Sequence, residues 1–328
     1  MSCLAAYTET IAEDCLAARA EVAGRFSQQL PDVGISRSFS LPRARLELAG
    51  GYRLAQLHLA ATALRSGGEE GYIGIAGEAI VPAFQVIEAR VEHRGFLAGV
   101  GLVDDPWTVL AERGWLRSVA PSFGEEAGWM NRSDLGLWLG YRRGPLVVRA
   151  DLSAGEGAFL RERNEEKNLA GTVWLHPIPA LSFVLYGRQG FTGLEAAPSH
   201  RVGGQVYVAL GAQNGVQLGL NVLKAWGVDG DEQQEPLGGS LWAVGSPWGP
   251  LRIVTRGDLA SEALGDEDAT SGRLRVGAGA AFGPAQLLAG WDYRWAGEEV
   301  ALVAGAGEST DINVFYVQLD VDLKWERP

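Results

Sequence analysis

Cysteine and methionine are almost missing from this 328-residue chain, which has two of each. Two cysteines, Cys3 and Cys15, cannot build a disulfide scaffold. Lysine occurs only at Lys167, Lys224 and Lys324, and 28 basic residues stand against 40 acidic ones, a net charge of −12. That balance excludes nucleic acid as a partner, because phosphate binding needs a basic surface. Long hydrophobic runs are also missing. Residues 202–223 are free of charge until the end but are broken by Gln205, Gln213, Asn214 and Gln217, and residues 169–187 by His176, Pro177 and Pro179. A spanning helix needs ~20 mostly apolar residues, so a helical membrane bundle is excluded. Neither a Cys/His cluster with zinc spacing nor a Gly-rich phosphate loop is present, and no cofactor is expected. The acidic stretches 229–232 and 265–268 lack full calcium-loop spacing and read as solvated loop tips.

What is there is glycine and tryptophan, 45 and 11 residues, within a chain that is 47% hydrophobic, so disorder is excluded too. From about residue 43 onward the sequence alternates with period two. Phe315, Val317, Leu319, Val321, Leu323 and Trp325 share one face of a segment whose other face carries Tyr316, Gln318, Asp320, Asp322 and Lys324. Segments of this kind cover 43–49, 52–64, 82–93, 96–103, 133–142, 145–154, 167–176, 180–188, 201–211, 215–225, 237–246, 250–258, 272–282, 285–295 and 312–325. A β-sandwich would account for alternation, but not for so many segments with one wholly apolar and one charged face. The connections alternate strictly, seven short turns (the first at Gly50-Gly51) with seven long loops at 65–81, 104–132, 155–166, 189–200, 226–236, 259–271 and 296–311. Tight turns at one end and long loops at the other are the pattern of an all-β, transmembrane, antiparallel up-and-down barrel of a Gram-negative outer membrane. Closure leaves no backbone edge facing lipid. An even strand number then requires one more ascending strand, placed at residues 33–41, which makes about 16 strands with 14–18 tolerated.

Residues 1–31 read differently. Ile11, Cys15, Ala18, Val22 and Phe26 recur at spacings of three and four, which predicts an amphipathic helix ended by Pro31. It forms either a periplasmic extension or a docking helix through which residues 1–30 reach a periplasmic partner, with the barrel occupying 32–328. The opening residues lack the basic start and apolar core of a secretory signal, so a processed or re-engineered start is expected.

Pro42-Arg43-Ala44-Arg45-Leu46-Glu47-Leu48 with its following turn resembles the opening hairpin of the phosphate-selective porin O/P family. Ile87 to Gly95 leading into Gly99 to Pro106 is similar to that family's strand–turn–strand before its long third loop, and Ser133 to Leu137 to the strand after it. The resemblance covers residues 42–142 and extends beyond them only in rhythm. It implies a trimeric passive channel, often anion-preferring. The family's lysine-rich lumen is not matched, and the chain ends in Lys324-Trp325-Glu326-Arg327-Pro328 rather than in an aromatic.

The expected function is therefore a porin, with a structural barrel docked through its N-terminal helix as the alternative and an outer-membrane hydrolase as a third reading. No catalytic residue is assigned, because His58 has no nucleophile motif beside it. The longest loop, 104–132, carries Trp107, Leu110, Trp115, Phe123 and Trp129, too apolar for free solvation. It is expected to fold into the pore and place Glu112, Arg113 and Arg117 at a constriction. The lumen is expected to be lined by Arg45, Arg90, Arg149, Arg188, Arg252, Arg256, Arg273, Arg275, Arg294, Asp320 and Asp322. Polar strand faces carry thirteen basic and nine acidic residues, whereas the long loops hold 25 acids and six arginines. A basic low-dielectric lumen focuses potential and favours anions. The acidic loops would bridge to lipopolysaccharide through divalent cations. Pairing of lumen charges beneath an acidic mouth would favour cations instead.

Overall fold

The computed structural model describes residues 15–30, 36–52, 54–66, 79–111, 120–155, 157, 165–192, 196–211, 215–228, 234–246, 248–261, 270–296 and 311–327. Sixteen antiparallel strands close into a barrel. They are β1 (Cys15–Leu30), β2 (Ser36–Tyr52), β3 (Ala55–Ser66), β4 (Ala79–His93), β5 (Phe96–Asp104), β6 (Ser133–Arg143), β7 (Leu146–Ser153), β8 (Asn168–Ile178) and β9 (Leu181–Gln189). Then follow β12 (His200–Leu210), β13 (Val216–Trp226), β14 (Leu237–Gly245), β15 (Leu251–Ser261), β16 (Thr270–Phe282), β17 (Ala285–Ala296) and β18 (Ile312–Arg327). Two two-residue strands, β10 (Phe191–Thr192) and β11 (Ala197–Pro198), form a hairpin within a long loop. Every barrel strand pairs with its chain neighbour, and β1 pairs with β18 to close the seam.

Period-two alternation forms these strands because a closed sheet has one lipid face and one lumen face. Leu135, Leu137 and Leu139 on β6, Leu218 and Leu220 on β13 and Val317 and Leu319 on β18 face outward, while Trp138, Asn221, Gln318 and Asp320 point inward. Trp291, Tyr293 and Trp295 stack along the outer face of β17 with centroids 5.7 and 5.6 Å apart. The β4–β5 turn at Arg94-Gly95 has positive φ at both residues, 50° and 86°, the tight primed hairpin that matches strand twist.

The N-terminal expectation is corrected. Residues 15–30 are not a helix but the first barrel strand, and residues 1–14 lie outside the described residues. The spacing Ala18, Val22, Phe26 is even, so it satisfies period two as well as a helical turn, and Leu16, Val22 and Phe26 are exposed on the lipid face. The strand expected at 33–41 is the start of β2, continuous with 43–49. A register shift sets Gly24 of β1 against residues 41 and 42 of β2, a bulge at which the missing amide of Pro42 is tolerated. Gly50 and Gly51 pair with Leu16 and Cys15 inside β2, and the turn falls beyond Tyr52. The count of sixteen stands, with its first strand relocated.

Candidate functional site in the barrel lumen

The long loop after β5 turns inward at once. Asp105 accepts hydrogen bonds from the Trp107 amide (2.9 Å) and the Tyr186 hydroxyl (2.9 Å), starting α1 (Pro106–Ala111). Its own amide donates to the Arg132 carbonyl at 2.8 Å, closing the loop's base. Burial pushes the Asp105 carboxyl up to about 6, and Asp151 adds to this, against the lowering effects of Arg188, the Tyr186 hydroxyl and Arg149.

Trp107 is fully buried, with its ring 5.7 Å from that of Tyr186. A Cβ on Gly203 would lie 2.6 Å from this indole, so glycine there makes the niche. Leu110 packs with Val147, Trp174 and Val184. Beyond residues 112–119, Ala120 packs against the inward side chains Trp242, Val244, Val254, Leu288 and Tyr316. The one-turn helix α2 (Phe123–Glu126) carries a Ser122–Glu125 capping box. Phe123 and Trp129 meet edge to face at 5.2 Å, and a Cβ on Gly238 would lie 2.5 Å from Phe123. Barrel side chains fasten the loop backbone: Gln205 donates to the Trp107 carbonyl at 3.0 Å and Arg201 to that of Trp129 at 2.7 Å. Loop and wall, from β7 round to β18, thus form a packed core inside the lumen.

At the centre of this contact the Glu126 carboxylate binds Arg273, Arg275 and, at 3.4 Å, Arg256. Asp258 takes the other edges of Arg256 (2.6 Å) and Arg275 (2.9 Å), and Asp292 holds Arg273 together with Arg275 (3.7 Å) and Arg294 (3.3 Å). Burial alone would raise the Glu126 carboxyl, but the Arg275, Arg273 and Arg256 guanidiniums outweigh it and hold it below the usual carboxylate range.

The remaining wall is lined by short-range charge pairs. Arg19 grips Asp322 through two bonds of 2.9 Å, Arg45 binds Glu47 at 3.0 Å, and His58 binds the same carboxylate at 2.9 Å. Arg142 lies 3.3 Å from Glu92, Arg149 pairs with Asp151 and rests on Trp138, and Trp138 donates to Glu88 at 2.6 Å.

Of the lumen residues expected from sequence, Arg256, Arg273, Arg275 and Arg294 are gathered in the cluster around Glu126. Arg45 and Asp322 are linked through Glu47 and Arg19, Arg149 pairs with Asp151, and Asp320 accepts from Gln286 and Gln318 at 2.6 Å each. Arg90 contacts Gln56, Arg252 contacts Ser246, and Arg188 is half-buried on the inner face of β9. Glu112, Arg113 and Arg117 lie outside the described residues. Glu126, Arg19 and Glu21 were not anticipated; the last two were hidden by the helix reading. His176 lies 2.7 Å from Ser182 on neighbouring strands, a contact that sequence spacing did not suggest. A hydrolase would need an orienting group and an oxyanion site as well.

No protein-family model matches the sequence, and no curated protein sequence is similar to it. Solved structures are similar in fold. OprB of Pseudomonas putida superposes with a TM-score of 0.69 at 10% identity, covering 94% of each chain. The anion-selective porin from Comamonas acidovorans gives 0.66 at 11%, over 94% of this chain and 99% of that one. The trimer form of OmpT, an outer-membrane protein of Vibrio cholerae, gives 0.61 at 10%, over 95% and 100%. The chain has a porin-type barrel fold. Its closed sheet and apolar outer face place it in a bacterial outer membrane.

Proposed function

We propose that the chain is a porin, a passive aqueous channel for small hydrophilic solutes. The observation that carries this reading is the division of the lumen. The long loop is fastened to one wall by apolar anchors and an arginine cluster, and the other wall is lined mostly by charged and polar side chains instead of apolar ones. Incorporation into a planar bilayer should give stepwise conductance, and purified, folded protein that produces no steps would refute the channel.

A weak preference for anions is the finer part of the proposal. Around the loop four arginines, Arg256, Arg273, Arg275 and Arg294, meet three carboxylates, Glu126, Asp258 and Asp292. The resemblance to the O/P family and the fold likeness to an anion-selective porin point the same way. The pairing along β1–β7 favours the opposite outcome, cation passage beneath acidic loops. A reversal potential under a KCl gradient separates them: a clear potassium preference sinks the anion reading. Homotrimerisation is proposed on the fold likeness to a trimeric barrel, with sedimentation in detergent as its test. Acidic loops bridged to lipopolysaccharide by divalent cations complete the reading. Docking to a periplasmic partner loses most of its basis, because residues 15–30 belong to the barrel wall.

A further inference from the structure

Glu126 enters the arginine cluster from a loop 130 to 149 residues away in sequence. Three guanidiniums from β15 and β16 converge on its two oxygens, while Asp258 and Asp292 hold their other edges. A guanidinium edge is a two-pronged donor matched to carboxylate and phosphate alike. The wall therefore holds a position built for a small oxyanion, and a protein side chain occupies it. That side chain keeps 24% of its exposure, so an ion in the lumen reaches it. The helix that carries it is a single turn, held by Phe123 over Gly238 and Trp129, by Met130 and Leu223 around Gly124, and by a bond from Arg256 to the Pro121 carbonyl.

We propose that Glu126 is a displaceable internal counter-ion. A small solute bearing a carboxylate or phosphate takes its place on Arg256, Arg273 and Arg275, and the segment around α2 leaves the wall. This rests on the reading that the lumen admits small solutes. Leaving without a replacement would strand buried arginine charge, which is strongly unfavourable. Exchange of one anion for another keeps the same donors satisfied, so the loop position follows the concentration of the incoming ion. The loop then senses what the pore contains.

The full chain carrying Ala127→Cys, folded in lipid vesicles, tests this. Modification of the introduced thiol is followed by the mass of the peptide containing it, so the native cysteines do not interfere. Inorganic phosphate should raise the modification rate by about tenfold over KCl at equal ionic strength, the size expected when charge-assisted bonds are exchanged. With Glu126→Gln added, the rate should be high in both salts. A rate that phosphate leaves unchanged, an equal rise in KCl, or a phosphate response that survives Glu126→Gln overturns the proposal. Ser122→Cys, buried at the start of α2, gives the same readout should Ala127→Cys not fold. Thiol rates do not depend on conductance, so a failure of the channel reading is seen separately in the bilayer.

Discussion

The two inner walls of the barrel solve the same problem in different ways. From β7 round to β18 the interior is built like the core of a soluble domain, with Trp242, Val254 and Leu288 at most 4% exposed, loop aromatics seated on glycines, and one dense charge cluster. From β1 to β6 the interior carries smaller charge groups, Arg45 with Glu47 along β2, Arg142 of β6 with Glu92 of β4, and Arg19 of β1 with Asp322 of β18. The contrast teaches that a lumen is not one environment. Where a loop covers the wall, desolvation makes each charge depend on all its partners. Along β1 to β6 the charge groups are smaller, but Arg45 and Glu47 are buried too, so breaking such a pair again strands a charge.

The largest break of this contrast should come from Arg275→Ala. Its side chain is 2% exposed and faces Glu126, Asp258 and Asp292, so its loss leaves uncompensated carboxylates and should cost about 3–5 kcal/mol. Urea unfolding in detergent or vesicles measures it. On the outer face, Leu137→Arg should cost about 2–4 kcal/mol if the residue lies near the midplane, and folding as efficient as wild type would refute the lipid-face assignment. Gly238→Val should cost about 1–3 kcal/mol by overpacking against Phe123 and should raise proteolysis of the loop. Arg294→Ala, with a side chain 46% exposed, should change stability by less than about 1 kcal/mol.

Acidity sharpens the comparison within the loop itself. The Asp105 carboxyl is raised, so its folded state binds a proton that the unfolded state releases. Its contribution is largest below the ordinary carboxylate range and is lost as pH rises through about 6. Glu126 is depressed, so its contribution is present at neutral pH and lost only well into acid. Hydrogen-exchange protection at the loop base, relative to the intrinsic rate at each pH, should rise between about pH 7 and 5, and Asp105→Asn should remove that change.

Much of this architecture was legible in the chain. Outward leucines at 135, 137 and 139, the strict order of short and long connections and the apolar character of residues 104–132 follow from local spacing, which a barrel turns directly into geometry. The first strand was not legible, because Ala18, Val22 and Phe26 are spaced by four, a number that period two and a helical turn share. Nor was the continuity of β2 through Pro42, which depends on a bulge in β2 opposite Gly24 of its partner. The role of Glu126 depends on arginines more than a hundred residues away, and no local pattern marks a contact of that range.

The central claim is that the loop lies inside the lumen against the wall from β7 round to β18 and narrows the path along the other wall. Single-channel conductance of a chain lacking residues 108–128 tests it most directly. The account requires a conductance clearly larger than that of the intact chain. An unchanged conductance from a correctly folded deletion would contradict it.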